Sequence, residues 1–199
     1  MHTKKASLRK VVFDIETSNV FDDIGSNDPS KLDISIVGVY DSETKTYATY
    51  AVSEFDKLWP ILERTDLLIG FNSDHFDIPL LNRYYPGDLT KIKSLDLLVE
   101  VKRAFGRRLR LDSIAEATLG VNKSGHGLEA VQWWKDGKED LVRKYCIDDV
   151  KITKEVYDYA KKHKKVLYKD FGEVKTIKLD TSEWDTLDER AALTHTLPF

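Results

Sequence analysis

Two carboxylates interrupt an apolar segment near the start of the chain, where residues 11–16 read VVFDIE. Side chains alternate faces along a strand, so Val12, Asp14 and Glu16 share one face. Apolar residues on both faces predict a central, buried strand. Neighbouring carboxylates there repel each other and lose hydration, which is tolerated mainly when a cation or hydrogen-bond donors compensate. We interpret the pair as half of a divalent-metal site. The alternative is an edge strand whose carboxylates face water.

A second candidate lies on the long helix predicted over about 139–162. One face of this helix is formed by residues that recur at steps of three and four: Val142, Tyr145, Asp149, Ile152 and Val156. That face is apolar except for the phenol and the carboxylate, so we choose Asp149 over Asp148, which lies on a less apolar face. A buried hydrogen bond between Tyr145 and Asp149 also accounts for the pattern.

The third candidate region follows a strand predicted over 66–71 and contains Asn72 and Asp77. A sharp turn leads into a helix with Pro79 in its first turn and its end near Tyr85. Asp77 would stand at the beginning of this helix, where helix polarity favours a carboxylate. An N-cap is the commoner role for such an aspartate, and Asn72 equally fits an ordinary turn.

The remaining pattern predicts an α/β domain. Residues 34–40 and 45–52 alternate as a strand hairpin, and helices are expected over 53–65, where Pro60 must kink or restart the helix, and over 111–119. A polar segment, 18–33, is interpreted as a mobile lid or surface loop beside the carboxylates. Three strands followed by alternating helices and strands are compatible with a mixed sheet.

Composition is that of an ordinary globular protein, with 199 residues, 41% hydrophobic and 33% charged. The single cysteine, Cys146, excludes an internal disulfide framework and fits a reducing compartment. No apolar run approaches membrane-spanning length, and the basic residues 1–10 lack a signal-type apolar core. We therefore expect a cytoplasmic protein without a membrane partner.

Charge is distributed unevenly around a net value of −3. The sum argues against indiscriminate nucleic-acid binding. Basic residues nevertheless concentrate in two segments: Lys102, Arg103, Arg107, Arg108 and Arg110, then Lys161, Lys162, Lys164 and Lys165. A basic rim around an acidic, metal-loaded centre would suit a phosphodiester substrate, although such runs are commonly just solvated faces.

Together, these polar sites resemble the three-part signature of the DEDD exonucleases, in the branch whose third motif is Tyr-x3-Asp. The matching stretches are FDIET at 13–17, GFN at 70–72 through FD at 76–77, and YCIDDV at 145–150. The chain is most similar to the exonuclease domain of family B DNA polymerases and to related stand-alone exonucleases, over roughly residues 8–160. This resemblance implies a ribonuclease H-like fold: a mixed five-stranded sheet, its first three strands antiparallel, with helices on both faces.

The resemblance also implies a two-metal site for Mg²⁺ or Mn²⁺. Asp14, Glu16 and Asp149 would hold one ion, and Asp14 the second, with Asp77 assisting through water. Two cations about 4 Å apart can generate hydroxide and stabilise the leaving 3′ oxygen. Tyr145, with Glu16, would orient the attacking water, because a phenol is too weak a base at neutral pH. Substrate contacts are expected from Thr17, Val20, Asn72, Phe76 and Lys123.

The implied function is 3′–5′ exonuclease activity on a single-stranded nucleic-acid 3′ end, with DNA as the expected substrate, releasing nucleoside 5′-monophosphates. The sequence does not specify a preference between DNA and RNA. Alternatives are a catalytically silent nucleic-acid-binding module, and an RNA exonuclease or an endonuclease on the same fold. We predict an exonuclease domain over 1–165, and over 166–199 a hairpin with an acidic tail, packed on the domain or partly disordered. The tail is a candidate site for a protein partner, and the sequence does not specify the oligomeric state.

Overall fold

The computed structural model describes residues 8–121 and 127–186. Three short 3-10 turns, at 29–31, 52–54 and 89–91, connect longer elements. In chain order the strands and helices are β1 (Lys10–Thr17), α1 (Phe21–Ile24), β2 (Ile34–Asp41), β3 (Thr46–Ala51), α2 (Phe55–Leu62), β4 (Leu67–Gly70), α3 (Asp77–Asn82), β5 (Ser94–Asp96), α4 (Leu97–Phe105), α5 (Leu111–Leu119), α6 (Gly127–Lys135), α7 (Glu139–His163), β6 (Lys165–Asp170) and β7 (Glu173–Lys178).

The main sheet has five strands in the order β3-β2-β1-β4-β5. β1 pairs antiparallel with β2 and parallel with β4, while β2 pairs antiparallel with β3 and β4 parallel with β5. β6 and β7 form a separate antiparallel hairpin. The main sheet is therefore the mixed sheet, with its first three strands antiparallel, that the resemblance implies. The predicted fold class is confirmed.

Both faces of β1 are covered, as its sequence predicts. Val11 and Phe13 pack with side chains of α2 and α3 on one face of the sheet. Val12 packs on the other face, with side chains of α4, α5, α7 and the hairpin. Because Asp14 and Glu16 are in phase with Val12, the strand carries both carboxylates on the α7 side.

Helix α7 is 25 residues long and packs across β1 and β2. A single glycine permits its close approach. Gly38 on β2 pairs with Asp14 on β1, and a Cβ atom at Gly38 would lie 2.7 Å from Sγ of Cys146 and 3.3 Å from its carbonyl oxygen. The helix therefore touches the sheet directly beside Asp14.

Two segments differ from the predictions. Residues 18–33 were expected to be a lid or surface loop, but they contain α1 and a 3-10 turn. Reciprocal hydrogen bonds between Asn19 and Asp33 close this segment on itself. The helix predicted over 53–65 is shorter, because a 3-10 turn precedes α2 and the helix ends at Leu62, soon after Pro60.

The residues after α7 pack on the same core as the sheet. Val166 and Ile177 of the hairpin are buried in the cluster on the α7 face. Trp184 stacks on Tyr157 of α7 at 5.9 Å between ring centroids, and the Tyr157 hydroxyl donates to Asp185 at 2.5 Å. Residues 187–199, most of the predicted acidic tail, lie outside the described residues. The domain boundary at residue 165 stays a prediction.

The close approach at Gly38 predicts that Gly38→Ala destabilises the fold. The added methyl group would displace the Cys146 backbone as well as its thiol, so we expect a loss of about 1–3 kcal/mol in the free energy of unfolding. Urea denaturation measures it. Gly127→Ala is the matched control, because no atom of the described residues lies within 4 Å of its added Cβ, and it should be neutral or slightly stabilising. Equal stability of the two variants would contradict the argument.

Candidate active site

An open cleft of about 600 Å³ lies where β1, the turn after β4, and helices α3, α6 and α7 meet. Because β1, β4 and β5 are parallel, their carboxyl ends reach the same edge of the sheet. Nine residues predicted from the sequence line this cleft: Asp14, Glu16, Thr17, Val20, Asn72, Phe76, Asp77, Tyr145 and Asp149. Lys123, the tenth, lies outside the described residues. Whether these residues carry the predicted roles stays a prediction.

Asp14 and Glu16 stand at the end of β1, beside a thiol. One carboxylate oxygen of each residue and Sγ of Cys146 lie within 4.8 Å of one another. The thiol donates a long hydrogen bond, 3.5 Å, to the Asp14 carbonyl oxygen. Burial, and then the negative charges of Asp14, Glu16 and Asp149, raise the pKa of Cys146 well above its usual value. Cys146 is therefore a neutral thiol at physiological pH.

Tyr145 and Asp149 enter the cleft from the middle of α7, and both are buried. Trp133 of α6 packs edge-on against the Tyr145 ring, with 6.0 Å between centroids, and thereby limits its movement. Asp148, the other carboxylate considered from the sequence, is half-exposed and forms an ion pair with Lys151 at 3.1 Å. The helical phase therefore places Asp149, and not Asp148, in the cleft.

Asp77 is the first residue of α3, and Phe76 occupies the N-cap position. Its carboxylate is buried and accepts hydrogen bonds from its own amide and from the Ile15 amide. Burial, reinforced by the neighbouring Asp96 charge, outweighs these bonds and raises the pKa of Asp77 from its usual 3.8 to about 8. The N-cap explanation of this residue is not what the structure shows.

Asp96, at the end of β5, is a positioning residue that the sequence analysis did not identify. It accepts hydrogen bonds from the amides of Asn72 at 2.7 Å, Asp74 at 3.2 Å and Leu98 at 2.9 Å. These bonds fix the turn after β4, in which Asn72 adopts a left-handed conformation with φ +67°. The signal was an aspartate after a short apolar segment and before a helix, the pattern of an N-cap.

Arginine and aromatic side chains complete the cleft. Arg108 donates to Oδ1 of Asn72 at 2.6 Å, and Arg110 lines the cleft itself. The sequence singled out this basic segment, but not which arginines face the site. Phe21 of α1 packs edge-on against Phe76 at 6.3 Å and forms an apolar wall with it. The cleft thus combines acidic, cationic and apolar surfaces.

The chemistry of this donor set fits divalent cations. Carboxylate oxygens are hard ligands of the kind that Mg²⁺ and Mn²⁺ prefer. The cleft brings together Asp14, Glu16, Asp77 and Asp149, and the raised pKa of Asp77 shows that negative charge is costly there. A bound cation would offset that cost. Nothing in this donor set selects between the two metals.

Comparison with known proteins identifies the family. A family model described as RNase_H superfamily matches residues 11–161, most of the chain. The chain belongs to the RNase H superfamily. A solved structure of the family B DNA polymerase from the hyperthermophilic archaeon Pyrobaculum calidifontis is similar, with 20% identity and a TM-score of 0.58. The match covers 78% of this chain but only 25% of the polymerase, and it shows a common fold. Comparison with curated proteins gives no match.

Membership in the RNase H superfamily confirms the resemblance read from the sequence motifs and supports nuclease activity on a nucleic acid. It also agrees with the use of divalent cations at the acidic cluster. The described part of the chain contains no helix that is long and apolar enough to cross a membrane.

The raised pKa of Asp77 predicts how the stability of the metal-free protein depends on pH. The unfolded chain releases this proton near pH 4, whereas the folded protein holds it until about pH 8. The free energy of unfolding should therefore fall as pH rises through this window, by up to about 1.4 kcal/mol per pH unit. Asp77→Asn should flatten the dependence and stabilise the metal-free protein at neutral pH.

Urea denaturation in the presence of a chelator, at several pH values across this window, measures the effect. Asp148→Asn is the control, since Asp148 is half-exposed and ion-paired, and it should keep the wild-type slope. Added Mg²⁺ should oppose the fall in stability at the upper end of the window. The same slope in wild type and Asp77→Asn would rule out Asp77 as its source.

Proposed function

We propose that this protein is a two-metal-dependent 3′–5′ exonuclease that releases nucleoside 5′-monophosphates from single-stranded nucleic acid. One observation carries the proposal: four carboxylates from β1, α3 and α7 converge on one cleft, with a buried tyrosine one turn before the last of them. A binding module that had lost its chemistry would gain nothing from placing four acidic side chains, three of them buried, around one cleft.

The acidic residues would hold the metal ions. Asp14, Glu16 and Asp149 provide the carboxylates for one ion, and Asp14, with Asp77 through water, contributes to the second. When bound, the cations would lower the pKa of a water molecule and stabilise charge on the leaving 3′ oxygen. Asp77 also accepts the Ile15 amide, which ties the start of α3 to β1.

Tyr145 would orient the attacking water together with Glu16. Both side chains are buried and line the same cleft. The edge-on contact with Trp133 restrains the phenol ring. A neutral phenol can donate one hydrogen bond and accept another, so it can fix the direction of a water molecule without removing its proton.

The walls of the cleft suit the end of a single strand. Phe21 and Phe76, with Val20, offer an apolar surface for the terminal base, while Arg110 offers a cation for a phosphate. Asn72 is held by Asp96 and Arg108 and would contact the nucleotide beside the cleaved bond. Single-stranded DNA is the expected substrate, and the polarity of cleavage rests on the motif resemblance.

The decisive experiment is a time course with 5′-labelled single-stranded DNA and RNA of one sequence, with Mg²⁺ or Mn²⁺ and with chelator. We expect a metal-dependent ladder that shortens from the 3′ end. Asp149→Asn should reduce the rate by more than about a hundredfold, because even the hydrogen-bond partners of metal ligands typically contribute about tenfold to a hundredfold. Asp148→Asn, which removes the neighbouring carboxylate on the outer face of α7, should retain activity.

A blocked 3′ end separates the alternatives. An exonuclease stalls on the blocked strand, whereas an endonuclease still cuts it. Nucleic-acid binding with no cleavage under any metal would favour the silent binding module. Equal loss of activity in Asp148→Asn and Asp149→Asn would contradict the assignment of the carboxylates.

Tyr145→Phe tests the water-orienting role. We expect kcat to fall about tenfold to a hundredfold, because a misplaced nucleophile loses most of its advantage. The dissociation constant for single-stranded DNA, measured by fluorescence anisotropy in chelator, should hardly change. A parallel loss of binding and rate would instead indicate that the hydroxyl supports substrate binding or the fold.

A further inference from the structure

The tip of the C-terminal hairpin exposes an aromatic side chain in an unfavourable backbone conformation. Phe171 and Gly172 form the two-residue turn between β6 and β7, with φ of +49° and +85°. Turns of this kind favour Asn-Gly, because positive φ is costly for bulky residues. The Phe171 side chain is nonetheless fully exposed to solvent. It contributes neither to turn geometry nor to the core, which points to another use.

Cationic side chains surround this tip. Arg107 lies 3.7 Å from Asp170, and Lys175 lies 2.7 Å from the same carboxylate. A second acid, Glu173, directly follows the turn and pairs with Asp170 across the hairpin, so these two cations offset two acids there. Residues 102–110, which form the end of α4 and the loop before α5, contain five basic residues and no acidic one. The tip therefore presents an exposed ring next to a strongly basic loop, a combination that suits a base and its phosphates.

The same loop connects the tip to the cleft. Arg107 contacts the hairpin, and the next residue, Arg108, donates to Asn72 at the cleft. Helix α5 continues from this loop and is bound to β6, since Thr118 Oγ1 donates to the Leu167 carbonyl and accepts from the Leu167 amide. The hairpin is therefore firmly attached beside the cleft, and cationic groups extend from one to the other.

We propose that the hairpin tip is a second nucleic-acid contact, at which Phe171 stacks on a base of the substrate strand several nucleotides upstream of the cleaved 3′ end. Arg107 would contact the strand's phosphates between tip and cleft. The proposal rests on the proposed nuclease function and extends it. This second contact would make the protein favour strands that are long enough to reach from the cleft to the hairpin.

Phe171→Asn is the decisive variant, because asparagine suits the turn better and cannot stack. Its thermal unfolding temperature should equal or exceed that of wild type. In an Asp149→Asn background, which prevents cleavage, its affinity for a single strand of about 20 nucleotides should fall about fivefold to fiftyfold. Cleavage of a trinucleotide by the otherwise wild-type variant should be unchanged. Phe171→Trp should retain affinity for the long strand.

The control is Val52→Thr, which alters an exposed apolar residue after β3, at the opposite edge of the sheet from β5. It should leave binding unchanged.

Two results would overturn the proposal. One is equal affinity for the long strand with and without Phe171→Asn in the Asp149→Asn background, and the other is an equal loss on short and long substrates. If Phe171→Asn changed self-association and left strand binding intact, the tip would be a contact between copies instead. If the parent protein neither bound nor cleaved any strand, the proposed function itself would fail.

Discussion

The burial of acidic side chains at one end of the sheet is the constraint on which the rest of this structure depends. Asp14 and Glu16 share one face of a central strand, and the cleft adds Asp77 and Asp149. The fold only partly compensates this charge with backbone amides, since the pKa of Asp77 is still raised to about 8. The residues whose burial is costly in the metal-free fold are also those that fit a divalent cation, which when bound would offset this cost.

Two devices bring the carboxylates together. The absence of a side chain at Gly38 lets α7 lie against β1 and β2, which carries Asp149 to the end of β1. At the other side of the cleft, Asp96 accepts hydrogen bonds from backbone amides of the turn after β4 and of the start of α4. The missing side chain at Gly38 allows close packing, and Asp96 supplies hydrogen bonds. Together they align three segments that are far apart in the chain.

The charge distribution also becomes intelligible in three dimensions. The chain carries a net charge of −3, yet Arg108 and Arg110 stand at the acidic cleft and Arg107 at the hairpin beside it. An acidic centre with a cationic rim attracts metal ions and phosphodiesters to adjacent places. Favourable long-range attraction of a nucleic acid therefore does not require a basic protein, because the relevant charges are concentrated at one edge.

The sequence by itself identified the polar residues that interrupt apolar faces, and the resemblance of its motifs, rather than its strand and helix pattern alone, implied the ribonuclease H-like fold class. Alternation along a strand placed Asp14 and Glu16 together, and helical periodicity preferred Asp149 to Asp148, because both periods are local properties of the backbone. Only the tertiary structure decided that Asp96 anchors the Asn72 turn, that Cys146 lies beside Asp14, and that Arg110 faces the cleft. Those placements follow from the strand order and from the way α7 crosses the sheet. Both depend on contacts between segments far apart in the chain, which the strand and helix periodicities of the sequence do not predict.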